Sequence, residues 1–400
     1  MSIPNCTLTT ACFCLKNEHD GARSLSETID STNSLLKLPL YLVIYGDAQT
    51  IPLLKERRTA YGFASLTVFI ETTSSCLWSF QYLEKVRRNR ELYFPSRDAR
   101  TSAETHLVTC NKFNFVLETM DSNPFSTTRF GWIDAFLGKD TVKICENYEP
   151  RIIPWILSNI SDKFQIQVLN VCDKKYKQKE NKREYYSQYQ WVVCGGFFTC
   201  GTEIGRKILS RLNEIFVETT NMGYGHGEEM FYLEVLDEFP NDISKSYGDY
   251  GQMLNNFIYP SRNLHYIYYF ILKKYMEKEH WRDAYACSVA LIGSIENHLV
   301  NDTPDLIAHI LIDHFISAYY YVPVQCNDIS KKIESLFLKN PELKRLFDAE
   351  HYRIEWYRNS IQEIYGQASE QASEQASEQA SEQASEQASE QASEQANAPT

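Results

Sequence analysis

The sequence lacks the short signatures that most often announce a chemistry. It has no HExxH pair, no P-loop, no GxSxG elbow and, for all its 11 cysteines, no CxxC pair. Those absences exclude the commonest zinc-protease, P-loop, α/β-hydrolase and zinc-ribbon readings. The cysteines are odd in number and scattered, as in a reduced set of small buried residues, not a disulfide framework. No uncharged apolar run approaches the ~18 residues of a spanning helix. The opening "MSIPNCTLTTACFCLKNEHD" has no basic segment followed by an apolar one, so a cytoplasmic protein without a signal peptide is expected. An excess of positive charge is also missing. The formal net charge is −12, which argues against a nucleic-acid partner. Seven of those twelve charges belong to the C-terminal repeat, so the remainder is only mildly acidic.

What is present is the composition of a globular protein: 43% hydrophobic residues, with 26 Tyr and 21 Phe. The first third alternates strand and helix patterns. "LTTACFCL" (8–15), "LYLVIYG" (40–46) and "SLTVFIET" (65–72) read as strands. Between and after them, 24–36, 51–60, 77–93 and 103–120 read as helices. Such alternation predicts an α/β domain with a mainly parallel, Rossmann-like sheet, whose ligands bind outside the carboxyl ends of the strands.

"TRFGWID" predicts a further strand with the carboxylate of Asp134 at its carboxyl end. "TVKIC" (141–145) and "KFQIQVLNV" (163–171) read as strands as well. The lysine-rich stretch 174–186 reads as a solvated loop, or, more sharply, as a surface for an acidic acceptor. "QWVVCGGFFTCG" (190–201) predicts a buried strand entering a glycine turn, with a helix after it. In "GYGHGEEMFYLEV" the pair Glu228 and Glu229 opens a helix after a glycine-rich loop. Acids in a first helical turn often serve the helix dipole. The GxGxG of that loop follows a helix, not a strand, so it is no dinucleotide fingerprint.

Beyond about 261 the chain reads as all-helical. Thr303-Pro304 supplies a helix start, and Pro341 opens a last long helix reaching Ile364. Seven QASE units, 367–394, lack an apolar face because a period of four does not match the helical 3.6. The expected organisation is therefore 1–260, 261–365 and a 366–400 tail that is disordered or a solvated helix.

"HLVTCNKFNFVLETMDSNPFSTTRFGWIDAF", "WVVCGGFFTCG" and "GHGEEMFY…GDYGQML" together resemble the HtrL/YibB-like family over roughly 8–254. That resemblance implies a nucleotide-sugar glycosyltransferase of the GT-A type, with a UDP-sugar favoured and a glycan, lipid or protein acceptor. By it, Asp134 matches the Asp-x-Asp position at which a Mn²⁺ or Mg²⁺ bridges the donor's phosphates. Here Asp134-Ala135-Phe136 lacks the second acid, and His265 is the downstream candidate ligand. The resemblance also places Gly195 and Gly196 against the acceptor or donor sugar. Glu228, with Glu229 beside it, falls where a carboxylate contacts the acceptor or acts as general base. Lys112 is a candidate for the diphosphate. Asp47, Arg57 or Arg58, and Thr10 are candidate nucleotide contacts. The alternative is a non-catalytic GT-A-like protein that acts as an interaction scaffold through its helical region.

Overall fold

The computed structural model describes residues 3–15, 24–92, 102–136, 152–187, 189–224, 227–248, 254, 257–258, 265–297, 303–350, 353–364 and 366. The chain divides into two compact units, 1–274 and 275–400, with the helix His265–Glu277 running across the division.

The first unit is built on a sheet of seven strands: β1 Cys6–Cys12, β2 Tyr41–Gly46, β3 Thr67–Glu71, β4 Arg129–Ile133, β5 Phe164–Val168, β6 Val193–Gly201 and β7 Ile243–Tyr247. Their order is β3-β2-β1-β4-β6-β5-β7. β1 pairs in parallel with β2 and β4, β2 with β3, and β5 with β7, whereas β6 runs antiparallel to both β4 and β5. The sheet is thus mixed and mostly parallel, with one strand reversed. Successive strands step from β1 to β2 and β3 on one side, and β4 returns to the other side of β1. This is a topological switch point, and open α/β sheets bind ligands in the crevice outside the carboxyl ends of the strands at such a point, here those of β1 and β4.

Period two assigns the two faces of β1. Cys6, Leu8 and Cys12 enter an apolar core with Leu36, Leu42, Ile133 and Ile156. Thr7 and Thr9 point the other way, where Thr9 donates to the Thr119 hydroxyl at 3.0 Å. That contact seats the helix Lys112–Ser122 on the second face, and its Phe115 stacks on Trp132 of β4 at 6.2 Å and 8°. A left-handed Asn123 (φ 33°) ends the helix and sends the chain back into β4. Helix and strand therefore run in opposite directions, so Lys112 at the helix start meets Asp134 at the strand's end.

Several elements differ from their sequence expectation. The stretch 103–120 is two helices, Ala103–Cys110 and Lys112–Ser122, divided at Asn111, whose side chain accepts from the Ser79 N–H at 3.1 Å. The stretch 24–36 divides at Thr32, and 77–93 begins as the 3-10 turn Trp78–Tyr82. β7, "ISKSY", carries too little apolar patterning to announce itself. The glycine turn expected after 193 is instead the interior of β6. Segment 141–145 lies outside the described residues. In the second unit the helices are Trp281–Glu296, Pro304–Tyr321, Cys326–Lys339, Pro341–Ala349 and 353–364. Thr303 caps the second of them, and the long helix expected from Pro341 ends at Ala349. Its core includes Ile312, Phe315, Ile333, Phe347 and Tyr357. The QASE repeat lies outside the described residues.

Arg58, fully buried on the helix Ile51–Ala60, ties the first core together. It donates to the carbonyls of Leu36, Leu38 and Leu40 at 2.6, 2.7 and 2.8 Å, and to the Thr67 hydroxyl at 2.7 Å. Burial pushes its pKa down to about 10, so the guanidinium keeps its charge at neutral pH. Arg58→Met would take that donor from three buried carbonyls, of which Leu38 keeps the Leu40 N–H, and each orphaned group costs ~1–3 kcal/mol. Urea unfolding should show a loss of at least ~2 kcal/mol, and an unchanged midpoint would remove Arg58 from this role.

Candidate functional site

Because β6 is reversed, its beginning lies beside the end of β4, and the Asp134 N–H donates to the Gly196 carbonyl at 2.8 Å. Lys112, 2% exposed, reaches this edge from the neighbouring helix. Its ammonium lies 2.5 Å from Glu228 Oε1 and 3.7 Å from Asp134 Oδ1, and it donates to the Gly195 carbonyl at 3.0 Å. It also sits 5.4 Å from the centre of the Trp132 ring. Burial alone would push the Lys112 ammonium down, but the charges of Glu228 and Asp134 outweigh it and hold the group above the ordinary lysine value.

Glu228 and Glu229 begin a 3-10 turn, Glu228–Phe231, and each is only 5% exposed. Glu229 Oε1 accepts from the Gly195 N–H at 2.9 Å, and Oε2 accepts from the Tyr189 hydroxyl at 3.1 Å. Burial, then the neighbouring Glu228, push the Glu229 carboxyl up to about 8. A dipole-serving acid in a first helical turn would be solvated, so this pair is something else. The need for glycine at 195 is steric, because a Cβ there would stand 2.7 Å from Glu228 Oε1 and 3.0 Å from Glu229 Cγ. Gly195 and Gly196 do not form a turn; Gly195 lets two buried acids approach the strand, and Gly196 offers its carbonyl to Asp134.

Asp134 is the accessible member of the group, with its side chain 34% exposed. Trp132 Nε1 donates to Oδ1 at 2.6 Å, and among the described residues Oδ2 has no hydrogen-bond partner. One open carboxylate oxygen suits a hard divalent cation that takes its other ligands from phosphates and water. The described residues contain no cluster of three His, Cys, Asp or Glu that would hold a metal alone. His265 begins the helix His265–Glu277, and its side chain lies outside the described residues.

Asp134, Lys112, Gly195, Gly196, Glu228 and Glu229 thus converge; Thr10, Asp47, Arg57 and Arg58 have their partners elsewhere or none among the described residues. Asp47 Oδ2 accepts the Cys14 N–H at 2.6 Å and Oδ1 accepts the N–H groups of Gln49 and Thr50, a local backbone lock between the ends of β1 and β2. Arg57 donates to Asp30 and Asn33 at 2.6 and 2.9 Å, and Arg58 is the buried clamp described above. Thr10 is buried within β1, its hydroxyl without a partner among the described residues. Lys112 is no exposed helix lysine reaching outward, since it is buried and two of its three N–H donors are engaged by Glu228 and the Gly195 carbonyl. The lysine-rich stretch is largely neutralised, with Lys175, Lys177 and Lys182 paired to Glu184, Asp237 and Glu234. Sequence reasoning missed Tyr189 and Trp132. For Tyr189 the available signal was the alternation Tyr189, Trp191, Val193 leading into a buried strand.

No protein-family model and no curated protein matches the sequence. Among solved structures, mouse xyloside xylosyltransferase 1 in its apo form is similar, at 12% identity and a TM-score of 0.32, over 60% of this chain and 83% of that one. At that level of likeness, the reading of the site rests on its own residues.

Two outcomes follow from the geometry. Lys112→Met leaves Glu228 buried without its cation, a loss of ~3–5 kcal/mol that urea unfolding will register. Glu229 binds its proton more tightly folded than unfolded, so its contribution to stability is fullest below about pH 4 and is lost as pH rises through about 8. Relative to Glu229→Gln, which cannot titrate, the wild type should lose stability steadily between pH 5 and 8. Parallel stability curves across that range would show that the carboxyl is not held in its acid form.

Proposed function

We propose that this chain transfers a glycosyl group from a nucleotide diphosphate sugar, a UDP-sugar first, to an acceptor hydroxyl. The observation that carries the reading is the open oxygen of Asp134 at the sheet's switch point, backed by buried acids and a lysine. The resemblance to HtrL/YibB-like proteins and to the GT-A type, carried by the short blocks around 111–134, 195–197 and 226–229, points the same way.

In this reading Asp134 Oδ2 holds a Mn²⁺ or Mg²⁺, which when bound neutralises the charge of the leaving diphosphate. The chain's own residues do the rest. Trp132 fixes the Asp134 carboxylate by donating to Oδ1, which leaves Oδ2 without a hydrogen-bond partner among the described residues. The Lys112–Glu228 pair anchors the Gly195 carbonyl and holds the first residues of β6 in place. Glu229 takes the acceptor's proton, since a general base works best when its pKa lies near the operating pH. The bond that breaks joins the sugar to the diphosphate; the bond that forms joins it to the acceptor oxygen. A non-catalytic interaction scaffold is the second reading, favoured by Tyr320, Tyr321 and Val324 standing 51%, 45% and 86% exposed on the helical unit.

Thermal-shift titration with UDP, GDP, CMP and their sugar conjugates, each with and without Mn²⁺, separates the two. Ligand at ~100 times its Kd stabilises by ~2.7 kcal/mol, enough to raise the midpoint by several degrees. The expected result is a Mn²⁺-dependent rise with one nucleotide, abolished in Asp134→Asn. No rise with any of them, in a protein that melts cooperatively, overturns the transferase reading in favour of the scaffold.

A further inference from the structure

We infer that Trp191 and Asn170 form a glycan subsite at the mouth of this cluster, and that the acceptor is a neutral pyranoside whose ring lies on the Trp191 indole. The inference rests on the glycosyl-transfer reading and adds to it the class of acceptor and the residues that hold it.

Trp191 is 51% exposed, large for an indole, and it lies two residues before β6. Its ring centre is 4.8 Å from that of Tyr189, at a tilt of 55°. Tyr189 in turn donates its hydroxyl to Glu229. The contacts therefore run from the surface indole through a half-buried phenol to the carboxyl assigned the proton transfer. The same phenol packs so tightly on Gly227 that a Cβ there would collide with its hydroxyl. Tyr189 and its indole neighbour are accordingly held, not loose.

A polar group with spare capacity is tied to the Trp191 backbone. Asn170, exposed just past the end of β5, donates Nδ2 to the Trp191 carbonyl at 2.6 Å, which fixes its amide. Its Oδ1 has no partner among the described residues. An indole half open to solvent, with an amide of spare capacity held on the same residue's backbone, offers the apolar face and the polar group that a pyranose takes. The axial C–H face of the sugar is apolar and meets the negative face of the ring, while its equatorial hydroxyls donate outward. The subsite joins the cluster at Glu229, whereas Asp134 belongs to its other end through Lys112. That order places the sugar on Trp191 on the acceptor side, next to the base and away from the residue assigned to the diphosphate. Neither Trp191 nor Asn170 carries charge, so the ring they hold is a neutral one.

The test uses the full chain and methyl pyranosides of xylose, glucose, galactose and N-acetylglucosamine. Tryptophan fluorescence is followed with and without UDP and Mn²⁺, and UDP release is followed with each UDP-sugar. At least one glycoside should quench the wild type and raise UDP release above donor hydrolysis. Trp191→Ala should remove that quench and raise the KM for the glycoside about tenfold. Trp191→Phe should keep most of the affinity, and Asn170→Ala should raise KM by a smaller factor. No quench by any glycoside, or an unchanged KM in Trp191→Ala, overturns the subsite even where UDP still binds. Quenching by a glycoside in a protein that binds no nucleotide supports the glycan site and removes the transferase reading alone.

Discussion

A buried lysine beside two buried glutamates is the arrangement on which this edge of the sheet depends. A charge removed from water is tolerated only when it is paired and hydrogen-bonded, and the Lys112 ammonium meets both conditions through Glu228 and the Gly195 carbonyl. The pair in turn dictates its surroundings. Residue 195 must be glycine, because the carboxylates occupy the space of a side chain. Asp134 is drawn to the same charge, though it lies further from it and remains open to the crevice. What reads in the sequence as four separate short blocks is one electrostatic unit.

The reversed strand β6 is what allows that unit to assemble. Were β6 parallel to β4, its start would lie at the opposite edge of the sheet, and neither the Gly195 N–H nor its carbonyl could meet Glu229 and Lys112. The reversal also carries Tyr189 and Trp191, just upstream of the strand, to the same edge. Topology and chemistry are coupled here through one change of direction.

Much of this was legible in the amino-acid order, for identifiable reasons. β1, β2 and β3 showed themselves through β-branched and aromatic runs, and the helix Ile51–Ala60 through its length and its proline near the start. Asp134 stood out because a carboxylate closed an apolar strand. The reversal of β6 was not legible, because a buried strand has the same pattern in either direction. β7 was hidden by its serines and lysine. Lys112 was picked out as a candidate for the diphosphate, but its burial against Glu228, 116 positions away, had no local signal. Asp47 looked like a ligand contact because it directly follows a strand, and Arg57 and Arg58 because they are basic residues on the helix after it. Their partners proved to be backbone groups and neighbouring side chains within the fold.

The two glutamates, adjacent in sequence and equally buried, divide the work by their partners. Glu228 is committed to an ammonium at 2.5 Å, a strong donor whose loss would strand both charges. Glu229 has an amide N–H and a phenol. Neither of these carries a compensating charge; burial, then the charge of Glu228, outweigh them and the more modest pull of Lys112, so its proton is held to about pH 8. A group in that condition can exchange its proton at neutral pH without dismantling the cluster, because the Lys112 pair remains in place in either state. Glu228 could serve as a base only by giving up its cation. The assignment of proton transfer to Glu229 therefore follows from which of the two charges the fold can spare.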